Sequence, residues 1–174
     1  AEGHRRLARC TDVVVGLVET HGRLHTAELL AGLPAVPRLT RYYRGAAFTE
    51  MDTDAIVARH PQVVLVDELA HTNIPGGRHA KRWQDIQELL DAGIDVISTV
   101  NIQHLESLGE VVAAITGAPQ RETVPDAFVR GADQVEVVDI TPEALRKRMA
   151  HGNVYAATKI DAALANYFRP GNLT

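Results

Sequence analysis

The segment Val63-Val64-Leu65-Val66-Asp67-Glu68 decides the fold class, because four consecutive apolar residues end abruptly in two acids. An apolar run without polar alternation is typical of a strand that is buried on both faces, as in a parallel sheet. Residues 12–18 and 94–100 have the same character, and helical patterns lie between these runs. The sequence therefore predicts an α/β fold in which helices flank a mainly parallel sheet.

The other elements are predicted from turn and capping signals. The pair Arg44-Gly45 indicates a turn, so residues 38–48 could form a hairpin or two edge strands. Thr49 and Asp52 have capping-box spacing before a helix at about 51–60. Further helices are expected over 26–33, 80–92, 104–116 and 159–168, at the start within 1–9, and after Thr141; further strands are expected over 120–125 and 134–140.

Composition limits the class of protein. The 174 residues are 45% hydrophobic and 23% charged, which is the balance of a globular domain. No apolar run approaches the ~20 residues that span a bilayer. The single cysteine, Cys10, excludes an internal disulfide framework, and the net charge of −4 argues against nonspecific binding to nucleic acid.

Polar clusters follow each of the three buried runs. Ligands in a parallel α/β sheet bind beyond the carboxyl ends of the strands, and all three clusters are predicted at that edge. The opposite, amino ends of the strands carry fewer polar side chains. We therefore expect a concave polar site formed by loops on rigid strands. Its members are Glu19, Thr20, His21 and Arg23 after the first run; Asp67, Glu68, His71, Thr72 and Asn73 after the second; and Thr99, Asn101, Gln103 and His104 after the third.

The acid pair Asp67-Glu68 after an apolar strand is the pattern that P-loop nucleotide hydrolases use as their second nucleotide motif, Walker B. A strand end holds the first carboxylate rigidly where it can bind Mg²⁺, and the second acid can polarise a water molecule. The alternative is that the strand simply reaches solvent, where acids are favourable. The companion pattern G-x-x-x-x-G-K-[ST] does not occur. We expect the first strand and the phosphate loop to lie upstream of residue 1.

The segment Arg78-His79-Ala80-Lys81-Arg82 places several cations near the Gly76-Gly77 turn. Cations at a helix start could contact phosphate or an acidic partner. They could equally be a solvated basic turn, and the sequence does not separate these readings.

Several long motifs, in order, resemble the N-terminal cytoplasmic domain of the KdpD family of osmosensitive, potassium-responsive sensor histidine kinases. The resemblance covers almost the whole chain. It is carried by Val15-Gly16-Leu17-Val18-Glu19-Thr20-His21-Gly22-Arg23, Val66-Asp67-Glu68-Leu69-Ala70-His71-Thr72-Asn73, Arg78-His79 with Lys81-Arg82, Ala92-Gly93-Ile94-Asp95-Val96, Asn101-Ile102-Gln103-His104-Leu105-Glu106-Ser107-Leu108, Arg121-Glu122-Thr123-Val124-Pro125-Asp126 and Phe168-Arg169-Pro170-Gly171-Asn172-Leu173-Thr174.

The resemblance implies a single P-loop-like domain over residues 1–174 that binds ATP with Mg²⁺ and lacks its phosphate loop. In the family, a universal-stress-protein-like domain, membrane helices and the kinase core follow, none of which is present in this sequence. The parent would lie at the cytoplasmic face of the bacterial inner membrane. It would pass a phosphoryl group to a response regulator that controls potassium-transporter genes, and it could be a homodimer.

Roles for single residues follow from the strand-end argument and the resemblance together. Asp67 would bind Mg²⁺ and Glu68 would position a water molecule. The γ-phosphate side of the nucleotide would be lined by Glu19, Thr20, His21, Arg23, Thr99 and Asn101, with Arg78 as a phosphate contact. The bare chain should bind ATP weakly or not at all. The alternatives are an ATPase or phosphoryl-transfer enzyme that uses Asp67 and Glu68, and a nucleotide-independent docking module that uses residues 78–82.

Overall fold

A computed structural model describes residues 2–139, 141 and 144. Within them, the helices are α1 (Glu2–Leu7), α2 (Leu24–Glu28), α3 (Thr53–Arg59), α4 (Arg82–Asp91), α5 (Gly109–Thr116) and α6 (Asp126–Arg130), and the strands are β1 (Val13–Leu17), β2 (Leu39–Tyr43), β3 (Ala46–Glu50), β4 (Val63–Val66) and β5 (Asp95–Ser98). Two 3₁₀ turns, Ile102–His104 and Glu106–Leu108, precede α5.

The central sheet has the strand order β1-β4-β5, and both pairings are parallel. The three strands fall on the three apolar runs, so the predicted α/β fold with a parallel sheet and flanking helices is confirmed. Strands β1 and β5 lie at the two edges of this sheet; all residues of β1 are buried, whereas β5 is mostly half-buried. Such a sheet is consistent with a P-loop-like α/β fold.

Gly16 lies at an irregularity in the register of β1. Val15 pairs with Leu65 while Leu17 pairs with Val66, so the register shifts across Gly16. A Cβ atom on Gly16 would lie 2.9 Å from Ile56 Cδ1, which belongs to α3. The missing side chain therefore allows α3 to pack closely against the sheet.

The hairpin predicted over 38–48 is present. Strands β2 and β3 pair antiparallel in a separate two-stranded sheet, and Arg44 and Gly45 both have positive φ at the turn. The hairpin is largely exposed except for its last residue, Glu50, which is 6% exposed. It therefore delivers one buried carboxylate towards the main body of the molecule.

Helices α3 and α4 follow the predicted segments with shifted ends. The cap of α3 is Asp52, whose carboxylate accepts a hydrogen bond from Ala55 N. Thr49 lies in β3, so its predicted capping role before this helix is wrong. Helix α4 ends before Gly93, which has φ 80°, as the sequence indicates.

Four other predictions need correction, and one helix was not predicted. The single helix over 104–116 is replaced by the two 3₁₀ turns and the shorter α5. No strand forms over 120–125 or 134–139; the first contains only an isolated bridge from Val124 to Leu105. Helix α2 begins and ends earlier than the predicted 26–33, and α6 was not predicted.

Two regions complete the comparison with the predictions. Thr141 Oγ1 accepts a hydrogen bond from Ala144 N, in agreement with a cap at Thr141. The remainder of that helix and the one expected over 159–168 lie outside the described residues. No helix in the described part of the chain combines the length and the apolar character needed to cross a membrane.

Candidate functional site

The carboxyl ends of β1, β4 and β5 meet at one edge of the sheet, as predicted. Backbone hydrogen bonds continue past the strands: Asp67 N donates to Leu17 O at 2.7 Å, and Leu69 N donates to Thr99 O at 2.9 Å. These bonds tie the loop after β4 to both neighbouring strands. The position of the Asp67-Glu68 corner is therefore set by all three strands.

Four predicted site residues are in direct contact at this edge. His21 Nε2 lies 3.1 Å from Glu68 Oε1. Thr99 Oγ1 donates a hydrogen bond to Asp67 Oδ1, and the same oxygen accepts from Glu68 N at 3.0 Å. We call His21, Asp67, Glu68 and Thr99 the rim cluster. One carboxylate of the cluster thus meets a hydroxyl and the other meets an imidazole.

Two members of the rim cluster have backbone conformations that residues with a side chain rarely adopt. Glu68 has φ 56° and His21 has φ 49°. The left-handed region costs a residue with a Cβ roughly 1–2 kcal/mol. Such strain persists only where the surroundings enforce it, and it is concentrated at functional sites. Cys10, Arg44 and His60 adopt the same region at turns or a helix cap, so at this corner the positive φ marks a tightly enforced turn and not by itself a function.

The other predicted binding residues lie around the rim cluster without joining its contacts. Glu19 pairs with Arg38 at 2.5 Å, and Arg38 also donates to Val18 O at 2.8 Å. Thr20 accepts a backbone hydrogen bond from Arg23, which precedes α2 and is exposed. Asn101 is exposed and accepts a backbone bond from His104 N at 2.9 Å.

Arg78 has partners away from the rim cluster. It forms ion pairs with Asp54 and Glu88, and His79 also lies 3.0 Å from Glu88. Lys81 Nζ donates to Thr72 Oγ1 at 2.7 Å and to Arg121 O. The cations of the turn over 78–82 therefore have partners within the molecule.

Sequence reasoning missed a buried polar network behind the rim cluster. Arg82, which is 2% exposed, donates to Glu50 Oε2 at 3.2 Å and to Asp67 O at 3.2 Å. His71 Nε2 lies 3.3 Å from Glu50 Oε1, and His71 Nδ1 lies 4.0 Å from Glu68 Oε2. In sequence, Arg82 is the last of several cations and Glu50, the final residue of β3, lies just past the hairpin predicted over 38–48, so neither carried a signal of burial.

The surroundings of Glu50 favour its ionised form despite its burial. Burial by itself would raise the pKa of Glu50, but hydrogen bonds from His71 and from Ile74 N, with the charge of Arg82, outweigh it and leave the pKa below its ordinary value. The buried guanidinium of Arg82 is therefore neutralised by a carboxylate.

A polar cleft lies between the hairpin, α3 and the start of α4. Its lining includes Arg41, Asp54, Asn73, Arg78 and Asp85. Burial raises the pKa of Asp85, and Asn73 Nδ2 donates to that carboxylate at 2.5 Å. This cleft is separate from the rim cluster, and the ion pairs of Arg78 with Asp54 and Glu88 form part of its lining.

The family described as the KdpD osmosensitive K⁺ channel His kinase sensor domain matches residues 1–174. The chain belongs to the KdpD family. Curated relatives agree: a Sensor protein KdpD of Mycobacterium tuberculosis is 68% identical over 173 residues, covering 99% of this chain and 20% of that protein.

Two more distant KdpD relatives match the same region. The Sensor protein KdpD of Escherichia coli is 54% identical over 99% of this chain and 19% of its own length. The Putative sensor protein KdpD of Synechocystis is 54% identical over 99% of this chain and 46% of its own length. The chain thus spans about a fifth of the length of the Mycobacterium tuberculosis and Escherichia coli relatives and less than half of the Synechocystis relative.

The donor atoms of the rim cluster fit the Mg²⁺ ion that the KdpD resemblance implies. Asp67, Glu68 and Thr99 offer carboxylate and hydroxyl oxygens, which are the hard ligands that Mg²⁺ prefers. Among the described residues, no three His, Cys, Asp or Glu side chains are arranged to hold a metal ion by themselves. Mg²⁺ bound through one or two carboxylates, together with water and substrate phosphates, does not need such a cage.

Proposed function

We propose that this chain is a nucleotide-sensing input domain of a KdpD-type sensor histidine kinase. The observation that carries the proposal is the contact of His21 with Glu68 and of Thr99 with Asp67, which joins the ends of three neighbouring strands around an acid pair. Ligands of parallel α/β sheets bind at this edge. The match to a His kinase sensor domain over the whole chain supports the signalling context.

Each residue of the rim cluster has a chemical task in this proposal. Asp67 holds Mg²⁺, which supplies charge neutralisation to the nucleotide phosphates when bound. Thr99 orients the Asp67 carboxylate, and Glu68 accepts a hydrogen bond from a water molecule near the terminal phosphate. His21 contacts Glu68, so the position of the imidazole changes when that carboxylate takes a new hydrogen-bond partner. Glu19, Thr20, Arg23 and Asn101 line the approach to the phosphate, whereas Arg78 pairs with Asp54 and Glu88 in the separate cleft and has no task at this site.

The sequence contains no G-x-x-x-x-G-K-[ST] loop. In this proposal, a phosphate-binding loop outside the 174 residues completes the site, because backbone N–H groups and a lysine supply most of the grip on β- and γ-phosphates. Nucleotide occupancy then biases a two-state arrangement of the downstream kinase domains. The intact kinase passes its phosphoryl group to a response regulator of potassium-transporter genes at the cytoplasmic face of the membrane, and homodimerisation is part of this proposal.

Isothermal titration with ATP, in the presence and absence of Mg²⁺, tests the proposal. Here and below, the full-length protein carries a substitution that inactivates the ATP site of its kinase core, because that core would bind and turn over ATP by itself. The full-length gene product should bind Mg-ATP more tightly than metal-free ATP, and the bare chain of 174 residues should bind neither at micromolar concentration. Absence of ATP binding by the full-length protein would refute nucleotide sensing. Micromolar binding by the bare chain would refute the need for an outside loop.

A second candidate is hydrolysis or phosphoryl transfer by the complete domain. The observation that favours it is the His21–Glu68 pair at 3.1 Å, since a carboxylate with an imidazole partner can accept a proton from a nucleophile. A turnover assay on the full-length protein separates catalysis from sensing. Glu68→Gln should abolish turnover if the domain is catalytic, and ATP binding without turnover in the wild type would contradict this candidate.

A further inference from the structure

Arg82 occupies an unfavourable place for a cation. It is the first residue of α4 and is 2% exposed. The helix dipole is positive at this end, so it disfavours a guanidinium there. Burial of a charge is also strongly unfavourable unless partners compensate for the lost water. The position therefore calls for a specific role of the side chain.

The two terminal nitrogens of Arg82 connect two separate parts of the chain. Nη2 donates to Glu50 Oε2 at the end of the hairpin, and Nη1 donates to the carbonyl oxygen of Asp67, each at 3.2 Å. Nε is buried and has no hydrogen-bond partner among the described residues. The two Nη groups alone therefore make the connection.

The contact with Asp67 is to the backbone and not to its carboxylate. That carbonyl belongs to the peptide group between Asp67 and Glu68, and its orientation determines how Glu68 leaves the strand with φ 56°. By contrast, Nη1 lies 3.6 Å from Glu68 Oε2, which is longer than a hydrogen bond. Arg82 thus fixes the backbone of the corner by a hydrogen bond and holds the Glu68 carboxylate only by this longer ion pair.

We propose that Arg82 is a positioning residue that orients the Asp67-Glu68 peptide for binding of a metal–nucleotide complex, with Glu50 as its buried counter-charge. This proposal rests on the proposed function. Arg82 does not touch the ligand; it acts through the peptide group that directs the two acids.

The substitution Arg82→Lys tests the proposal, because lysine keeps the charge but lacks the planar fork that reaches two acceptors. In the full-length gene product, the ratio of ATP affinities with and without Mg²⁺ should fall roughly tenfold, the order expected for one lost charge-assisted hydrogen bond. Affinity for metal-free ATP should be unchanged. An unchanged ratio overturns the proposal.

Arg59→Lys is the matched control. Arg59 also forms two hydrogen bonds, at 2.8 and 3.0 Å, but to Asp12 at the opposite end of the sheet. Both ATP affinities should stay at their wild-type values.

If Arg82→Lys fails to fold by circular dichroism, the double variant Arg82→Met/Glu50→Gln removes both buried charges together. In the double variant, the ratio of ATP affinities with and without Mg²⁺ should fall as it does in Arg82→Lys. If the folded double variant keeps the wild-type ratio, the proposal is also overturned.

Amide hydrogen exchange without nucleotide separates this proposal from the proposed function. Arg82→Lys should speed exchange at the amides of Glu68 and Leu69, and Arg59→Lys should not. If the wild-type protein binds no Mg-ATP, the proposed function fails, and the exchange data alone decide whether Arg82 holds the corner. Unchanged exchange at both amides then overturns the positioning role as well.

Discussion

Substitution of Gly16 by alanine should destabilise the fold, because β1 and its neighbours leave no room for a side chain. The new Cβ would lie 2.8 Å from Val64 Cγ2 and 2.9 Å from Ile56 Cδ1. Carbon atoms in contact normally lie about 3.5–4.0 Å apart. Val64 and Ile56 are both 0% exposed, so neither can move aside into solvent.

The expected loss is the difference between two effects. Overpacking of a buried site costs about 1–3 kcal/mol. Replacement of a glycine restricts the unfolded chain, which stabilises the folded state by about 0.4–1 kcal/mol. Gly16 has no positive φ that alanine would strain. The net loss in the free energy of unfolding should be about 1–2 kcal/mol, or roughly 2–8 °C in Tm for a domain of this size.

Urea denaturation and calorimetry of the 174-residue chain measure this effect. Gly109→Ala is the control: Gly109 starts α5 with φ −56°, and a Cβ there would meet nothing within 4 Å. It should stabilise the chain by up to about 1 kcal/mol. If Gly16→Ala is neutral or stabilising like the control, the close packing of α3 on β1 is wrong.

Three further substitutions have defined outcomes. Asp67→Asn should reduce the Mg²⁺ dependence of ATP binding in the full-length protein and leave its circular dichroism unchanged; unaltered Mg²⁺ dependence would contradict its metal role. Hydrogen bonds from Arg59 hold the pKa of Asp12 below its usual value, so this pair stabilises the fold above about pH 4 and its effect is lost as the pH falls through the depressed pKa. Arg59→Met should therefore lower the free energy of unfolding, measured in urea at pH 6, by up to about 1 kcal/mol for a surface pair, but not at pH 2; an equal loss at both pH values would refute this. Because burial raises the pKa of Asp85, its ionised form is penalised once the pH rises through that pKa, so Asp85→Asn should raise the urea midpoint at pH 7 but not below about pH 4; a lower midpoint at pH 7 would contradict it.

The sheet could be predicted from sequence because its signal is local. The run Val63–Val66 is apolar without alternation, and that pattern depends only on burial on both faces. The segment 134–139 has a similar β-branched character, yet Val135, Val137 and Val138 are 61–83% exposed and form no strand. A strand also needs a neighbouring strand to pair with, and the pattern of a single segment does not show whether one is available.

The site was predictable to the extent that topology determines it. Once β1, β4 and β5 are parallel neighbours, residues such as His21 and Glu68 must share one edge. The buried network was not predictable, because Glu50 and Arg82 are 32 residues apart and meet only through tertiary packing. In sequence, an arginine at a helix start looks the same whether it points to solvent or to a buried carboxylate.

Paramagnetic broadening by Mn²⁺ in place of Mg²⁺, added with ATP, tests the shared strand-end site most directly. The method detects weak binding, so the bare chain can be used. Amide signals of residues 19–21, of Asp67 and Glu68, and of residues 99–101 should broaden together, and Asp67→Asn should reduce all three effects. Broadening confined to one strand end, or centred on residues 78–82, would contradict a common metal–nucleotide site.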